Sequence, residues 1–186
     1  QMRQRQQELG IPSGYDRRCR NLPLDDRARY EAENLPYVVR LAMPLEGTCL
    51  LKDAVRGEVK YEYRLQDDQV LLKSDGFPTY FLAATVDDRL MGITHILRGE
   101  EWLGSAPKMI HLYNVLEWEA PVFAHLPVIL GTDRKKLSKR HGSTNFRAFI
   151  EQGYLPEALI NFLVLLGWST GEENRELLSI NEIIER

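Results

Sequence analysis

The spacing of hydrophobic and polar positions predicts short strands in the first part of the chain. Apolar and β-branched runs at 37–43, 48–52, 59–63 and 70–72 are separated by Pro, Gly and charged residues, which is typical of strands joined by turns. The stretch before them, 1–35, is polar and has no long apolar face. It predicts an extended or loosely helical lead-in to a small β-rich unit.

The pattern changes after residue 78, where helical and strand-like segments alternate. Helical spacing of apolar residues predicts helices over 79–90 and 106–118. Apolar runs at 93–97 and 123–130 have the character of buried strands. A helix–strand–helix–strand order is what a parallel α/β sheet requires, so the predicted fold class is α/β.

The C-terminal end of the chain is helical in character. Helices are predicted over 144–152, 156–166 and 179–186. Ser179 followed by Glu182 has the spacing of a capping box, which marks the start of the last of them. A helical segment is therefore expected to follow the α/β part.

Composition and charge are those of an ordinary folded protein, with local exceptions. Hydrophobic residues make up 44% of the chain, charged residues 27%, and the net charge is −3. The basic residues are clustered, with seven Arg against four acids in 1–30 and six Lys or Arg against one Asp in 131–150. Such patches can bind a polyanion. Cys19 and Cys49 form no close pair, which predicts a reducing compartment, and no apolar run reaches the roughly 18 residues of a transmembrane helix.

One basic segment carries the clearest chemical signal. Lys136, Ser138 and Lys139 lie in the run Lys-Leu-Ser-Lys-Arg-His-Gly, beyond the predicted strand that ends near Leu130. Ligands bind α/β folds beyond the C-terminal ends of parallel strands. Lysine ammonium groups there can close over a triphosphate and offset the charge on a leaving pyrophosphate, and Ser138 adds a hydroxyl donor. Taken alone, this run is also compatible with a solvated basic loop.

The basic run stands within an ordered series of motifs. The others are LKSDGFPTY at 72–80, VDDRLMGITH at 86–95, LRGEEW at 97–102, FAHLP at 123–127 and GYLPEAL at 153–159. In this order and spacing they resemble the glutamyl-tRNA synthetases of bacterial and organellar type, which are class I aminoacyl-tRNA synthetases. The run that starts at Lys136 looks like their "KMSKS" signature. The resemblance covers about 15–186.

The resemblance implies a domain plan and an activity. Residues 1–78 would be the C-terminal part of an inserted α+β domain that grips the tRNA acceptor end. Residues 79–133 would be the second half of a Rossmann-type catalytic domain, and residues 134–186 the KLSKR loop and the start of a helical stem-contact domain. The implied reaction activates glutamate with ATP and Mg²⁺ to glutamyl-adenylate, then transfers it to the 3′-terminal adenosine of tRNA-Glu. A monomer in the bacterial cytoplasm or an organellar matrix is expected.

The resemblance also assigns roles to single residues. Lys139 matches the lysine that contacts ATP and Lys136 its supporting lysine, so both are predicted to be catalytic. Arg98 matches the arginine that pairs with the glutamate side chain, and Tyr80 lines the same pocket. The residues that match ATP or adenosine contacts are Glu101, Trp102, Val128, Ile129, Ser138 and Lys139. Arg98 favours glutamate over glutamine, because an uncharged amide does not repay the desolvation of a guanidinium.

Several features depart from the family. A His-Ile-Gly-His-like motif and an anticodon-binding region are missing and the chain begins with Gln1, so an internal fragment that cannot form a complete site alone is expected. Phe81 stands where the family commonly has His. No zinc is expected, because Asn21 replaces the second ligand of a Cys-x-His element that begins at Cys19, and a structural zinc site needs four ligands.

Partners and alternatives complete the prediction. Arg17, Arg18 and Arg20 are expected to face tRNA phosphates, with a solvated surface as the alternative. A second enzyme hypothesis is the shortened paralogue that glutamylates queuosine in tRNA-Asp. A third hypothesis is a half-domain that binds RNA or a protein partner without catalysis. No membrane partner is expected.

Overall fold

The computed structural model divides into two compact units. It describes residues 2–10, 14–131, 133–136, 146–172 and 175–186. The first unit comprises Gln1–Leu97 and Trp102–His125, and the second comprises Arg98–Glu101 and Leu126–Arg186.

Helices and strands follow one another in a mixed order, which confirms the predicted α/β class. The strands are β1 (Val39–Arg40), β2 (Thr48–Asp53), β3 (Gly57–Glu62), β4 (Val70–Leu72), β5 (His95–Gly99) and β6 (Val122–Leu126). The α-helices are α1 (Met2–Glu8), α2 (Leu24–Ala32), α3 (Tyr80–Leu90), α4 (Ala106–Val115), α5 (Phe146–Glu151), α6 (Pro156–Leu165) and α7 (Ile180–Glu185). Short 3-10 helices span Tyr63–Leu65 and Glu100–Ser105. None of the helices in the described part of the chain is long and apolar enough to cross a membrane.

The main sheet has the strand order β3-β2-β6-β5. β2 and β3 are antiparallel, and β2 is parallel to β6 where Asp53 lies opposite Phe123. Along β2, Cys49, Leu51 and Asp53 are buried while the residues between them are exposed, which is the period-2 pattern of a strand with one buried face. β1 and β4 form a separate antiparallel pair. The main sheet thus joins strands from both sides of residue 78.

The core of the first unit is organised around α4. Met109 and Tyr113 belong to one buried cluster, and Leu112 belongs to a second. Residues at this spacing share one face of a helix. Phe81 packs against both clusters, so a phenyl ring at this position is stabilised by burial of apolar surface.

The C-terminal helices are joined by side-chain hydrogen bonds. Asn161 on α6 donates to the carbonyl oxygen of Glu176 over 2.7 Å and accepts from the N–H of Leu178 over 2.8 Å. At the start of α7, the Ser179 hydroxyl accepts from the N–H of Glu182, and the Glu182 carboxylate accepts from the N–H of Ser179. The predicted capping box is confirmed.

Two predicted strands are shorter in the structure than in the sequence pattern. The run 37–43 contributes only Val39 and Arg40, at an irregular register. The run 123–130 leaves the sheet after Leu126, because Pro127 has no N–H to donate. The lead-in also contains a regular helix, α2, that buries none of its residues.

Candidate functional site

Arg98 lies next to the end of β5, directly before the 3-10 helix Glu100–Ser105. The residue as a whole is half-buried, the strand fixes its backbone, and the Nη2 atom of its guanidinium group is buried. A half-buried guanidinium at the end of a strand can grip a carboxylate with two parallel hydrogen bonds. This geometry is compatible with the role that the resemblance gives to Arg98.

Tyr80 and Trp102 meet within the first unit. Their ring centroids are 4.9 Å apart with an interplanar angle of 40°, a separation typical of interacting aromatic pairs. Tyr80 is the first residue of α3 and is 53% exposed, and Trp102 is 36% exposed. The two rings therefore form a partly open aromatic wall.

Within the second unit, the carboxylates of Glu100 and Glu101 bind residues that lie shortly before the basic run or at its start. Glu100 accepts a hydrogen bond from the N–H of Val128 over 3.2 Å. Glu101 forms an ion pair with Lys136, and the hydrogen bond from Lys136 keeps the pKa of the Glu101 carboxyl below its usual value. The predicted ATP-site residue Glu101 is thus in direct contact with the predicted catalytic residue Lys136.

Part of the predicted site lies outside the described residues. Ser138 and Lys139 fall in the segment 137–145, which the structure does not describe.

Val128 and Ile129, the residues predicted to bind adenine, are described: Val128 is half-buried and Ile129 is 46% exposed. Because the N–H of Val128 is bonded to Glu100, an adenine read by this residue would use its carbonyl oxygen.

A buried Asp–His pair is the feature that sequence reasoning missed. The Nδ1 atom of His125 lies 2.5 Å from Oδ2 of Asp53, and neither side chain is exposed. Oδ1 of Asp53 accepts from the N–H groups of Val55, Arg56 and His125. The signal was present, since His125 is a polar position within an apolar run and Asp53 directly follows a predicted strand. Their pairing joins the end of β2 to β6.

This hydrogen bonding outweighs the cost of burying the Asp53 carboxylate. Burial raises the pKa of the group, but hydrogen bonds from His125 and from backbone N–H groups lower it to about 2, against an ordinary value of 3.8. A lowered pKa means that the ionised form stabilises the fold. The stabilisation is complete above the unfolded value near 3.8 and is lost as the pH falls to the folded value near 2.

We therefore expect a defined acid sensitivity. The stability difference between the natural protein and Asp53→Ala should shrink by about 2 kcal/mol between pH 5 and pH 2, because protonated Asp53 no longer contributes its charge. Urea unfolding at several pH values measures this difference. A difference that stays constant over this range would contradict the assignment.

Each of the three predicted tRNA-contacting arginines pairs with an aspartate, and for two of them that aspartate is buried. Arg17 and Arg20 approach Oδ1 of Asp68 at 3.6 and 3.4 Å, and the Asp68 side chain is only 2% exposed. Arg18 is 64% exposed and pairs with Asp16 at 2.5 Å. The ion pairs of Arg17 and Arg20 with Asp68 thus connect the lead-in to the β-rich part, whereas Arg18 faces solvent.

Two clefts open on the surface of the first unit. One has a volume of about 550 Å³ and lies between α2 and the β1–β4 pair, and the other is about 320 Å³ and lies beside the end of α3. None of the predicted site residues lines either cleft. Neither cleft therefore supports a role for these residues.

Comparisons with known proteins agree with the motifs. A family model described as "tRNA synthetases class I (E and Q), catalytic domain" matches residues 1–186. The chain is 50% identical over 185 residues to a glutamate–tRNA ligase of Moorella thermoacetica, covering 99% of this chain and 37% of that protein. It is 48% identical over 181 residues to a glutamate–tRNA ligase of Fusobacterium nucleatum, covering 97% of this chain and 35% of that protein.

A solved structure shows the same fold. The crystal structure of a glutamate-tRNA synthetase from Elizabethkingia anophelis superposes with a TM-score of 0.83 at 38% identity, covering 99% of this chain and 42% of that one. The chain spans little more than a third of the length of the curated relatives it matches. Because the family model matches the whole sequence, the chain belongs to the catalytic-domain family of class I tRNA synthetases for glutamate and glutamine.

Proposed function

We propose that the protein containing this chain is a glutamate–tRNA ligase. It would activate glutamate with ATP to glutamyl-adenylate and pyrophosphate, then transfer the acyl group to the 3′-terminal adenosine of tRNA-Glu. The observation that carries this proposal is Arg98, a half-buried cation next to the end of β5 and directly before the helix that contains Glu101 and Trp102. The relatives of Moorella thermoacetica and Fusobacterium nucleatum, both named glutamate–tRNA ligases, support the same substrate.

Each substrate group would meet a residue of matching chemistry. Arg98 would pair with the side-chain carboxylate of glutamate, and the rings of Tyr80 and Trp102 would contact apolar parts of the substrates. The carbonyl oxygen of Val128 would accept from the adenine amino group. Lys139 with Ser138 would stabilise charge on the phosphates.

Mg²⁺ would enter with ATP. Within the ranges that the structure describes, no group of three or more His, Cys, Asp or Glu side chains is arranged to hold a metal ion. Mg²⁺ keeps several waters and commonly binds through substrate phosphates with few protein ligands, so this donor set is compatible with a metal carried by ATP. The metal would supply charge neutralisation to the phosphates.

The tRNA would approach the basic lead-in of the first unit. Arg18 can exchange its exposed pair with Asp16 for a phosphate, since exposed ion pairs contribute at most about 1 kcal/mol. Arg17 and Arg20 would contribute positive potential while they hold Asp68. The domain boundaries, the monomeric state, the cellular location and the absence of zinc stay predictions.

Glutamate-dependent exchange of pyrophosphate into ATP tests the proposal. The protein expressed from its complete gene should exchange label with glutamate and tRNA-Glu, and glutamine should support much less exchange, because only a carboxylate repays the desolvation of Arg98. Acylation of tRNA-Asp instead of tRNA-Glu would favour the queuosine-modifying paralogue. RNA binding without exchange would favour the non-catalytic hypothesis, and either result would contradict the proposal.

A further inference from the structure

The chain turns back on itself just before the signature loop and places Lys136 against the turn that follows Arg98. Leu130 and Lys136 form an antiparallel bridge, and the N–H of Gly131 donates to the carbonyl oxygen of Lys135 over 2.8 Å. The Lys136 ammonium group then meets the Glu101 carboxylate. Lys136 is therefore held through both its backbone and its side chain.

The Glu101 carboxyl group lies directly over the backbone of Gly99. A Cβ atom added at position 99 would lie 2.1 Å from Oε2 and 2.7 Å from Cδ of Glu101. No side chain tolerates such a contact, so the carboxyl group occupies space that only glycine leaves open. Any larger residue at position 99 must displace Glu101 from this position.

The ion pair between Glu101 and Lys136 is accessible to solvent, and in it the carboxylate of Glu101 balances the charge of Lys136. The side chains of Lys136 and Glu101 are 58% and 43% exposed, and such pairs contribute at most about 1 kcal/mol. Glu101 is ionised, because its hydrogen bond to Lys136 lowers its pKa. The positive charge of Lys136 is thus already matched by a protein carboxylate.

We propose that Glu101 is a positioning residue that anchors Lys136, so that Lys136 orders the base of the signature loop instead of binding the triphosphate. This inference rests on the proposed function, since ATP is the ligand toward which the loop would be ordered. The pair between Glu101 and Lys136 stays closed when ATP binds. Ordering the base of the loop in advance reduces the entropy cost of ATP binding.

A double-mutant cycle between Glu101 and Lys136 tests the anchor. Mg-ATP is titrated calorimetrically into the protein expressed from its complete gene, without glutamate or tRNA. E101Q and K136Q should each raise the Kd for ATP by about twofold to fivefold, the range that an exposed ion pair supports. The double variant should match either single variant, because both substitutions remove the same pair. G99A should raise Kd to a similar degree, since it displaces the carboxylate and leaves both charges present.

A matched control and the opposing outcomes make the test decisive. E62Q removes the carboxylate of another exposed ion pair, with Arg64, and should leave the Kd for ATP unchanged. If Lys136 binds phosphate directly, K136Q weakens ATP binding more than tenfold while E101Q leaves it unchanged or strengthens it, and the proposal is wrong. ATP binding without glutamate-dependent exchange contradicts the proposed function alone, and the cycle still decides the anchor. No ATP binding by the natural protein contradicts both.

Discussion

Replacing Arg98 by glutamine is expected to lower kcat/KM for glutamate by about 10²-fold or more in pyrophosphate exchange. Loss of one partner from a desolvated charge pair costs about 2–5 kcal/mol, because the remaining carboxylate keeps its desolvation penalty without a counter-charge. Most of the effect should be on KM for glutamate, while KM for ATP changes little, since the guanidinium is assigned to the amino acid alone. Steady-state exchange at varied glutamate and ATP concentrations measures both constants.

Two further variants separate geometry from charge at this position. Arg98→Lys keeps the charge but loses the planar fork, so it should recover only part of the lost activity. Arg64→Gln removes an exposed arginine that pairs with Glu62, and it should behave like the natural protein. An Arg98→Gln variant with unchanged KM for glutamate would contradict the assignment of Arg98 to the substrate carboxylate.

Replacing Asp53 by alanine is expected to destabilise the fold by about 3–5 kcal/mol, because it leaves buried donors without their charged acceptor. The substitution leaves the His125 ring and the N–H groups of Val55, Arg56 and His125 without their acceptor. The backbone and ring donors of His125 are buried, so water does not replace the hydrogen bonds that they lose. Urea unfolding at pH 7 measures the loss.

An exposed aspartate provides the matched control for this prediction. Asp75 also accepts from a backbone N–H, that of Phe77, and pairs with Lys73, but its side chain is 56% exposed. Asp75→Ala should therefore cost less than about 1 kcal/mol. If Asp53→Ala and Asp75→Ala have equal effects, the buried pair does not stabilise the fold as argued.

Local patterns predicted most elements, because the forces that form them act over a few residues. The capping box at Ser179 joins residues three apart, and the helical stripe of α4 repeats within one or two turns, so both can be recognised in the sequence. The end of β6 was harder to place. The run 123–130 is apolar throughout, but Pro127 and the bond from Val128 to Glu100 remove two N–H groups from any sheet.

The sequence by itself determined the α/β class, the order of helices and strands and the motifs of the synthetase family, while the residues assigned to glutamate and ATP stay predictions. Only the tertiary structure decided which of these residues touch. Asp53 and His125 are 72 positions apart, and Glu101 and Lys136 are 35 apart. The packing of strands and turns decides which residues so far apart in sequence come into contact. Hydrophobic spacing reports which face of an element is buried, but it carries no information about which distant polar group lies opposite.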